Sequence, residues 1–312
     1  MKKFRSLLAA LVAFGAVAAP KTPADEAAKV RETIRKVNTT WQNNHPTEAT
    51  PFWHNAAYHT GNMEAFFLTG EPEFLEYSLK WADHNDWQGA KGKDRSKWKR
   101  TYGETDDHVL FGDWQTCFQT YCDLYNILPD DKRIRRAREV MEYEMSTPYN
   151  DYWHWADGLY MVMPVMTKLY KITGNKEYLD KTFEYITKSD SIMYDAETGL
   201  YFRDGKYVYP KHKTPSGKKD FWARGDGWVL AALAKVLKDL PADYDKRPFY
   251  EDKFRRMAKS VVSLQHPGGY WTRSMADPDF APGCETSGTA FFDSFGVSIT
   301  VCLPIPSIRK LP

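Results

Sequence analysis

Residues 152–164, YWHWADGLYMVMP, set one carboxylate, Asp157, among aromatic rings: Tyr152, Trp153 and Trp155 precede it and Tyr160 follows at helical spacing. Large rings strip water from a neighbouring ionisable group and raise a carboxylate's pKa. A carboxyl group held partly protonated near neutral pH is what a general acid needs, and rings of this kind are also surfaces on which sugars stack. The plainer alternative is that Asp157 caps a helix beginning near Gly158, a common place for Asp.

Outward from this stretch one phrase recurs. A helix ends at Gly or Pro, a few residues pass, and a new helix starts with an aromatic. Phe67-Leu68-Thr69-Gly70 leads into Glu73-Phe74-Leu75, and Ile127-Leu128-Pro129 into Ile134. Ile172-Thr173-Gly174 leads into Tyr178-Leu179, and Asp239-Leu240-Pro241 into Phe249-Tyr250. The spacing suits a repeated αα-hairpin with variable loops. The helix after each break is amphipathic, as in Tyr178, Leu179, Phe183 and Ile186. The helix before it is richer in Gly, Ala and Trp, as in Asp157–Lys171 and Phe221–Lys238. An inner, doubly buried helix followed by an outer one with a wet face is the expected unit. The fold class expected is all-α, with the hairpins closed into a ring in preference to an open solenoid. A ring gathers the inner-helix starts at one end, around a single pocket. The long loops 83–102 and 195–220 precede such starts and are expected to overhang its mouth.

The chain has 312 residues with 15% aromatics, including 11 Trp and 19 Tyr, and a formal charge of +2. That charge argues against nucleic acid as the main partner, while the local run GAKGKDRSKWKR (89–100) can still steer a polyanion. Residues 1–18 read as a signal peptide: Lys2, Lys3 and Arg5, then an apolar run from Leu7 to Val17, then Ala16-Val17-Ala18. The run is too short to span a membrane and no comparable segment follows, so a periplasmic or secreted protein is expected, with residues 19–312 as one catalytic domain. Cys117, Cys122, Cys284 and Cys302 have no framework or zinc-finger spacing and read as free thiols. No metal-ligand grouping, phosphate-binding glycine loop or G-x-S-x-G is present, so neither metal nor cofactor is expected.

Besides Asp157, two clusters carry chemistry. Thr105-Asp106-Asp107-His108 reads as an inner-helix start in which one Asp caps and the other faces the cavity. Asp107 and Asp157 would then be a carboxylate pair suited to acid/base work on a sugar. In Phe221-Trp222-Ala223-Arg224-Gly225-Asp226-Gly227-Trp228, Arg224 can present a fork of donors to a carboxylate while a ring stacks on a sugar; the alternative is an Arg224–Asp226 salt bridge. Trp53-His54-Asn55 reads as another stacking wall, 284–290 as a further polar helix start, and Gly199-Leu200-Tyr201 and Gly269-Tyr270-Trp271 as rim turns.

In order along the chain, DDH (106–108), WADGLYM (155–161), TGNKEYLD (173–180), WARGDGW (222–228) and ETSGTA (285–290) resemble glycoside hydrolase family 105 and its relative family 88, the unsaturated uronyl hydrolases. The resemblance runs from about Trp53 to Ala290. It implies an (α/α)6 barrel and an exo-acting hydrolase that removes a Δ4,5-unsaturated uronic acid from acidic oligosaccharide fragments left by polysaccharide lyases. The implied reaction protonates C4 of the enol ether and adds water at C5; the hemiketal then opens and expels the remaining sugar. By motif, Asp157 is the acid/base and Asp107 the second carboxylate. Arg224 binds the uronate, and Trp53, His54, Asp106, His108, Trp155, Trp222 and Trp228 line the substrate site. Two departures stand out. Many members carry a His shortly after the G-L-Y turn, where this chain reads Phe202-Arg203, with His212 from the same loop as the expected substitute. After Phe292 the expected helix gives way to a Pro-broken tail, which predicts an incomplete last hairpin. Another barrel glycosidase or sugar epimerase, a non-catalytic glycan-binding protein and an inactive fragment are the competing readings.

Overall fold

The computed structural model describes residues 23–293; the N-terminal leader, the tail after Asp293 and Cys302 lie outside the described residues. The chain divides into two compact units, at Asn44/His45. Helix α1 (Pro23–Asn44) is the described part of the first. None of the described helices is long and apolar enough to cross a membrane.

From His45 onward the expected hairpins are present. Helix α2 (Trp53–Thr69) turns into α3 (Pro72–His84). A single-turn α4 (Gly112–Gln115) runs on into α5 (Cys117–Ile127), which turns into α6 (Lys132–Ser146). Helix α7 (Ala156–Thr173) pairs with α8 (Glu177–Met193), and α9 (Ala223–Asp239) with α10 (Arg247–Ser263). Helical turns resume at 286–293. The breaks fall where the punctuation predicts. Gly70 and Gly174 adopt the left-handed conformation (φ 74° and 72°) and return their N–H groups to Phe66 and Tyr170, a stop that an L-residue with a Cβ makes at a cost. Pro129 and Pro241 cannot continue the helices that end just before them.

The inner–outer alternation also holds. Helices α2, α5, α7 and α9 pack in series, each also against its own outer partner. Helix α7 is buried nearly all round from Ala156 to Leu169. Helix α8 buries one stripe, Tyr178, Leu179, Thr182, Tyr185, Ile186, Ser189 and Met193. Toward the C-terminal end of α9, Lys235 and Lys238 reach Glu64 of α2 at 3.6 and 3.5 Å, which complements the negative end of the helix dipole. Nearer the other end, Thr60 Oγ1 and Tyr160 Oη of α2 and α7 hydrogen-bond at 2.7 Å. Cys117 and Cys122 are buried and unbridged, and Cys284 is exposed and unbridged.

One helix start is displaced from its predicted place. Thr105–His108 is not helical, because its polar groups serve the preceding loop. Asp106 Oδ1 accepts the Lys91 amide at 2.7 Å, and the carbonyls of Asp106 and Asp107 accept the Gly92 and Lys99 amides. The basic run is likewise knitted in: Arg95 pairs with Glu139, Lys97 with Asp94, Lys99 with Asp107 and Arg100 with Asp151.

The α2–α3 contact contains a titratable group whose state is fixed by burial. His59 stacks on Trp81 with ring centroids 3.8 Å apart and shares a 3.0 Å hydrogen bond with Ser78; desolvation lowers its pKa from 6.5 to about 3. The unfolded chain therefore takes up a proton below pH 6.5 that the folded chain refuses, so this site costs stability as pH falls. We predict that His59→Phe flattens the decline of unfolding free energy between pH 6 and 4 by about 1 kcal/mol per pH unit, measured by urea titration at each pH. An unchanged slope would show that His59 is protonated in the folded state.

Candidate active site

Three inner helices begin with one local phrase. Phe111, Trp155 and Trp222 occupy the N-cap positions of α4, α7 and α9 in extended conformation, without a capping side-chain hydrogen bond. Each is followed by a small residue, Gly112, Ala156 or Ala223, and then by an ionisable one, Asp113, Asp157 or Arg224. The aromatic caps do the positioning. Phe111 and Trp155 stack with centroids 4.5 Å apart and planes 7° from parallel. Trp155 folds back over Gly158 and Trp222 over Gly225, where an added Cβ would lie 3.0 Å from the indole in each case. The site thereby acquires ring walls, and the second residue of each helix turns toward the same space.

The electrostatics show which of these groups act on one another. Asp113 is buried, and its pKa rises from 3.8 to about 7 through desolvation, with the charges of Asp157 and Glu104 adding to the rise. Asp157 is also raised, by desolvation; its own backbone amide, the cations Arg224 and Arg203, and the Trp228 indole oppose that rise. Trp228 Nε1 is buried and completes no hydrogen bond of normal length, so it acts on Asp157 as a nearby dipole. A shift of the Asp113 size corresponds to roughly 4 kcal/mol in favour of the neutral acid, several times the 0.3–1 kcal/mol that a helix N-terminus returns to an anion. Desolvation and like charge win, which favours the neutral form of Asp113.

Arg224 Nη1 lies 3.9 Å from Glu285 Oε1, and its guanidinium sits 4.2 Å from the Trp222 ring centroid. A cation at a helix N-terminus is disfavoured by the dipole, so helix stability does not account for it. Asp226 is not its partner. That carboxyl is fully buried, accepts the Tyr201 amide at 2.9 Å, and is pushed well above the carboxylate range by burial. On the outer side Gln115, next but one to Asp113, donates to the buried Glu144 and to the Val109 carbonyl, which fixes α4 in place.

The sequence expectations are met unevenly. Trp53, Trp155, Trp222 and Arg224 are half-buried at helix starts, and His54 is exposed beside Trp53. Trp228 lies deeper, packed on Tyr160 and Phe291. Asp107 is not the carboxylate that faces Asp157: it pairs with Lys99, accepts the Thr105 hydroxyl at 2.5 Å, and is pulled down to about 2, chiefly by those two contacts. Asp106 caps the Lys91 amide, and His108 Nδ1 meets the Thr101 carbonyl at 2.6 Å, so both brace the loop. His212 contacts Asp220 at 3.0 Å and packs edge-on to Tyr207. The sequence reading missed Asp113 and Arg203. For Asp113 the signal was present, because Phe111-Gly112-Asp113 repeats the aromatic–small–ionisable order of Trp155-Ala156-Asp157.

The paired-helix scaffold thus carries two carboxyls of raised pKa, Asp113 and Asp157, with arginines and half-buried indoles at the same helix starts. The chain belongs to Glycosyl Hydrolase Family 88, whose sequence signature matches residues 27–295. It is 57% identical, with a TM-score of 0.87, to a family 88 glycosyl hydrolase structure from Bacteroides vulgatus, over 89% of this chain and 80% of that one. It is 64% identical, with a TM-score of 0.89, to a solved protein described as a polysaccharide lyase, over 90% of this chain and 80% of that one. An unsaturated 3S-rhamnoglycuronyl hydrolase of Formosa agariphila is 38% identical over 144 residues, which make up 45% of this chain and 38% of that protein.

The neutral form of Asp113 is testable by infrared difference spectroscopy. Near pH 6 the Asp113→Asn variant is expected to lose one component of the protonated carboxyl stretch, the components of other buried acids such as Asp226 and Glu144 remaining; an unchanged band would show that Asp113 is ionised.

Proposed function

We propose that this chain removes a Δ4,5-unsaturated uronic acid from the non-reducing end of an acidic oligosaccharide by hydrating the enol ether, with Asp157 as acid/base and Asp113, not Asp107, as the second carboxylate. The observation that carries the reading is the raised pKa of buried Asp113 and half-buried Asp157 beside Arg224 at aromatic-capped helix starts, in a family 88 chain. The family and the name of the F. agariphila relative support it. The scaffold is taken to be a six-hairpin (α/α)6 barrel, of which the described hairpins form the greater part. The N-terminal charged and apolar segment supports export to the periplasm or beyond.

The pair supplies the chemistry in order. Arg224 binds the uronate carboxylate, and that anion offsets the cation that had stabilised ionised Asp157. The pKa of Asp157 therefore climbs on binding and the Asp113 proton moves to it. Asp157 delivers the proton to C4 as positive charge develops at C5, where the ring oxygen shares it. Water adds at C5, losing its proton to the carboxylate just formed. The hemiketal opens to a C5 ketone and frees C1 as a hemiacetal, from which the remaining sugar departs as an alcohol. The proton count closes without a cofactor.

A second reading is favoured by the name of the 64% identical structure. A polysaccharide lyase creates the same double bond by removing the C5 proton, and the carboxylate and arginines here have the types that step requires. One assay separates the two by sign. The ultraviolet absorbance of the conjugated enol ether falls with time on an unsaturated disaccharide if the chain is a hydrolase. It rises on the intact polysaccharide if the chain is a lyase. Tight binding with neither change points to a glycan-binding protein.

Asp157→Asn should cost on the order of 10²–10⁴ in rate, and a loss under tenfold would remove it from the acid role. Asp113→Asn removes the carboxyl that titrates near 7 and leaves Asp157 to titrate alone. The alkaline limb of kcat/KM, expected near pH 7 in the parent, should move to lower pH; a limb that stays or moves upward contradicts the pairing.

A further inference from the structure

Glu285 differs from the other residues that open inner helices. Phe52, Phe111, Trp155 and Trp222 hold the N-cap positions of α2, α4, α7 and α9 with no capping side-chain hydrogen bond. Helical turns resume at Thr286, and there the preceding residue does cap: the Glu285 carboxylate accepts the Gly288 amide and the Ser287 hydroxyl. Glutamate is an uncommon choice for that task, which Asp, Asn, Ser and Thr perform best. What its extra methylene adds is reach. Glu285 Oε1 lies 3.9 Å from Arg224 Nη1, and the glutamate side chain is 15% exposed against 40% for the arginine.

The contact is built into the backbone. Gly288 backs directly onto the start of α9, where an added Cβ would lie 2.7 Å from the Ala223 carbonyl carbon. The rim segment 269–275 clamps the two helix starts together. Its Trp271 carbonyl accepts the Glu285 amide at 2.8 Å, and its Arg273 carbonyl accepts the Ala223 amide at 3.0 Å. The Trp271 amide also donates to Thr289 Oγ1 at 3.1 Å. Glu285 is thus a fixed anion, and Arg224 is the group it can order. At 3.9 Å it stands beyond hydrogen-bond reach, so it attracts the guanidinium without taking up N–H donors. Among the described residues Arg224 donates no side-chain hydrogen bond, and its guanidinium rests on the Trp222 ring. Without a counterion, a long cation at the unfavourable end of a helix dipole would sample many rotamers, and ordering it would fall on the binding step.

We propose that Glu285 is a positioning residue for Arg224: it holds the guanidinium by charge and leaves the N–H fork free for the uronate carboxylate. The proposal rests on the functional reading above for the identity of the ligand, but not for the Glu285–Arg224 contact.

Two variants of the full chain separate ordering from capping. Glu285→Asp keeps the charge and is the better cap, but withdraws the carboxylate from Arg224 by one methylene. Glu285→Gln keeps the reach and loses the charge. Crystal structures of the parent and of Glu285→Asp read the effect without any ligand. In the variant the Arg224 guanidinium is expected to leave its place on Trp222 or to lose defined density, with residues 286–293 still helical. An ordered guanidinium in its parental place overturns the proposal. Affinity is read by calorimetric titration in chains that also carry Asp157→Asn, which keeps the substrate intact. The ligands are an unsaturated uronyl disaccharide and its uronate methyl ester. Both Glu285 variants should weaken binding of the acid by about fivefold or more and of the ester by less than about twofold. A residue that only caps would leave Glu285→Asp with unchanged affinities, and one that competes with the ligand would let Glu285→Gln bind the acid more tightly; either result overturns the positioning role. A displaced guanidinium in Glu285→Asp, together with no preference for acid over ester before Glu285 is changed, keeps that role and counts against the uronate reading instead.

Discussion

Everything at the site depends on how the inner helices begin. A helix start leaves backbone N–H groups unpaired and is usually closed by a small polar side chain. At α4, α7 and α9 an aromatic residue holds that position instead, and no side chain caps the amides. At α7 and α9 those amides are served by the carbonyls of Arg203 and Arg273, which binds the rim turns to the helix starts. Trp155 and Trp222 fold over the glycines one turn on. The wall, the rim and the orientation of the second helical residue thus follow from one local constraint.

The consequence is a site in which charge is arranged against helix stability. Arg224 stands where the dipole prefers an anion, while Asp113 has a carboxylate and another acid for its neighbours. The helix-terminus terms are small, below about 1 kcal/mol each, and burial and like charge exceed them. Arg224 instead balances Asp157. One carboxylate is pressed toward the neutral form by a like charge while its partner is partly held as an anion, which is how two acids in one pocket take different roles.

The helices and their breaks were legible because the information is local. Gly70, Gly174, Pro129 and Pro241 punctuate, and the apolar stripe of α8 shows its period. The place of Arg224 at a helix start could be read from its tryptophan neighbours. Thr105–His108 was misread as a helix start because adjacent acids look like one, whereas their partners, the Lys91 and Lys99 amides, come from a loop that no periodicity reveals. Asp113 was passed over since its cap is Phe111 in place of Trp, although the order aromatic–small–ionisable is the same. Arg203 required knowledge of a pairing across 47 residues, between its carbonyl and the Ala156 amide, and local sequence does not carry that.

The choice of second carboxylate is where the structure departs furthest from the motif, and one comparison decides it. Initial rates of enol-ether absorbance loss on an unsaturated uronyl disaccharide are measured for Asp113→Asn and Asp107→Asn beside the parent chain, with folding checked by circular dichroism. The account predicts a fall of about 10²-fold or more for Asp113→Asn and a change of only a few fold for Asp107→Asn. A near-parental rate for Asp113→Asn with a collapse for Asp107→Asn would contradict it.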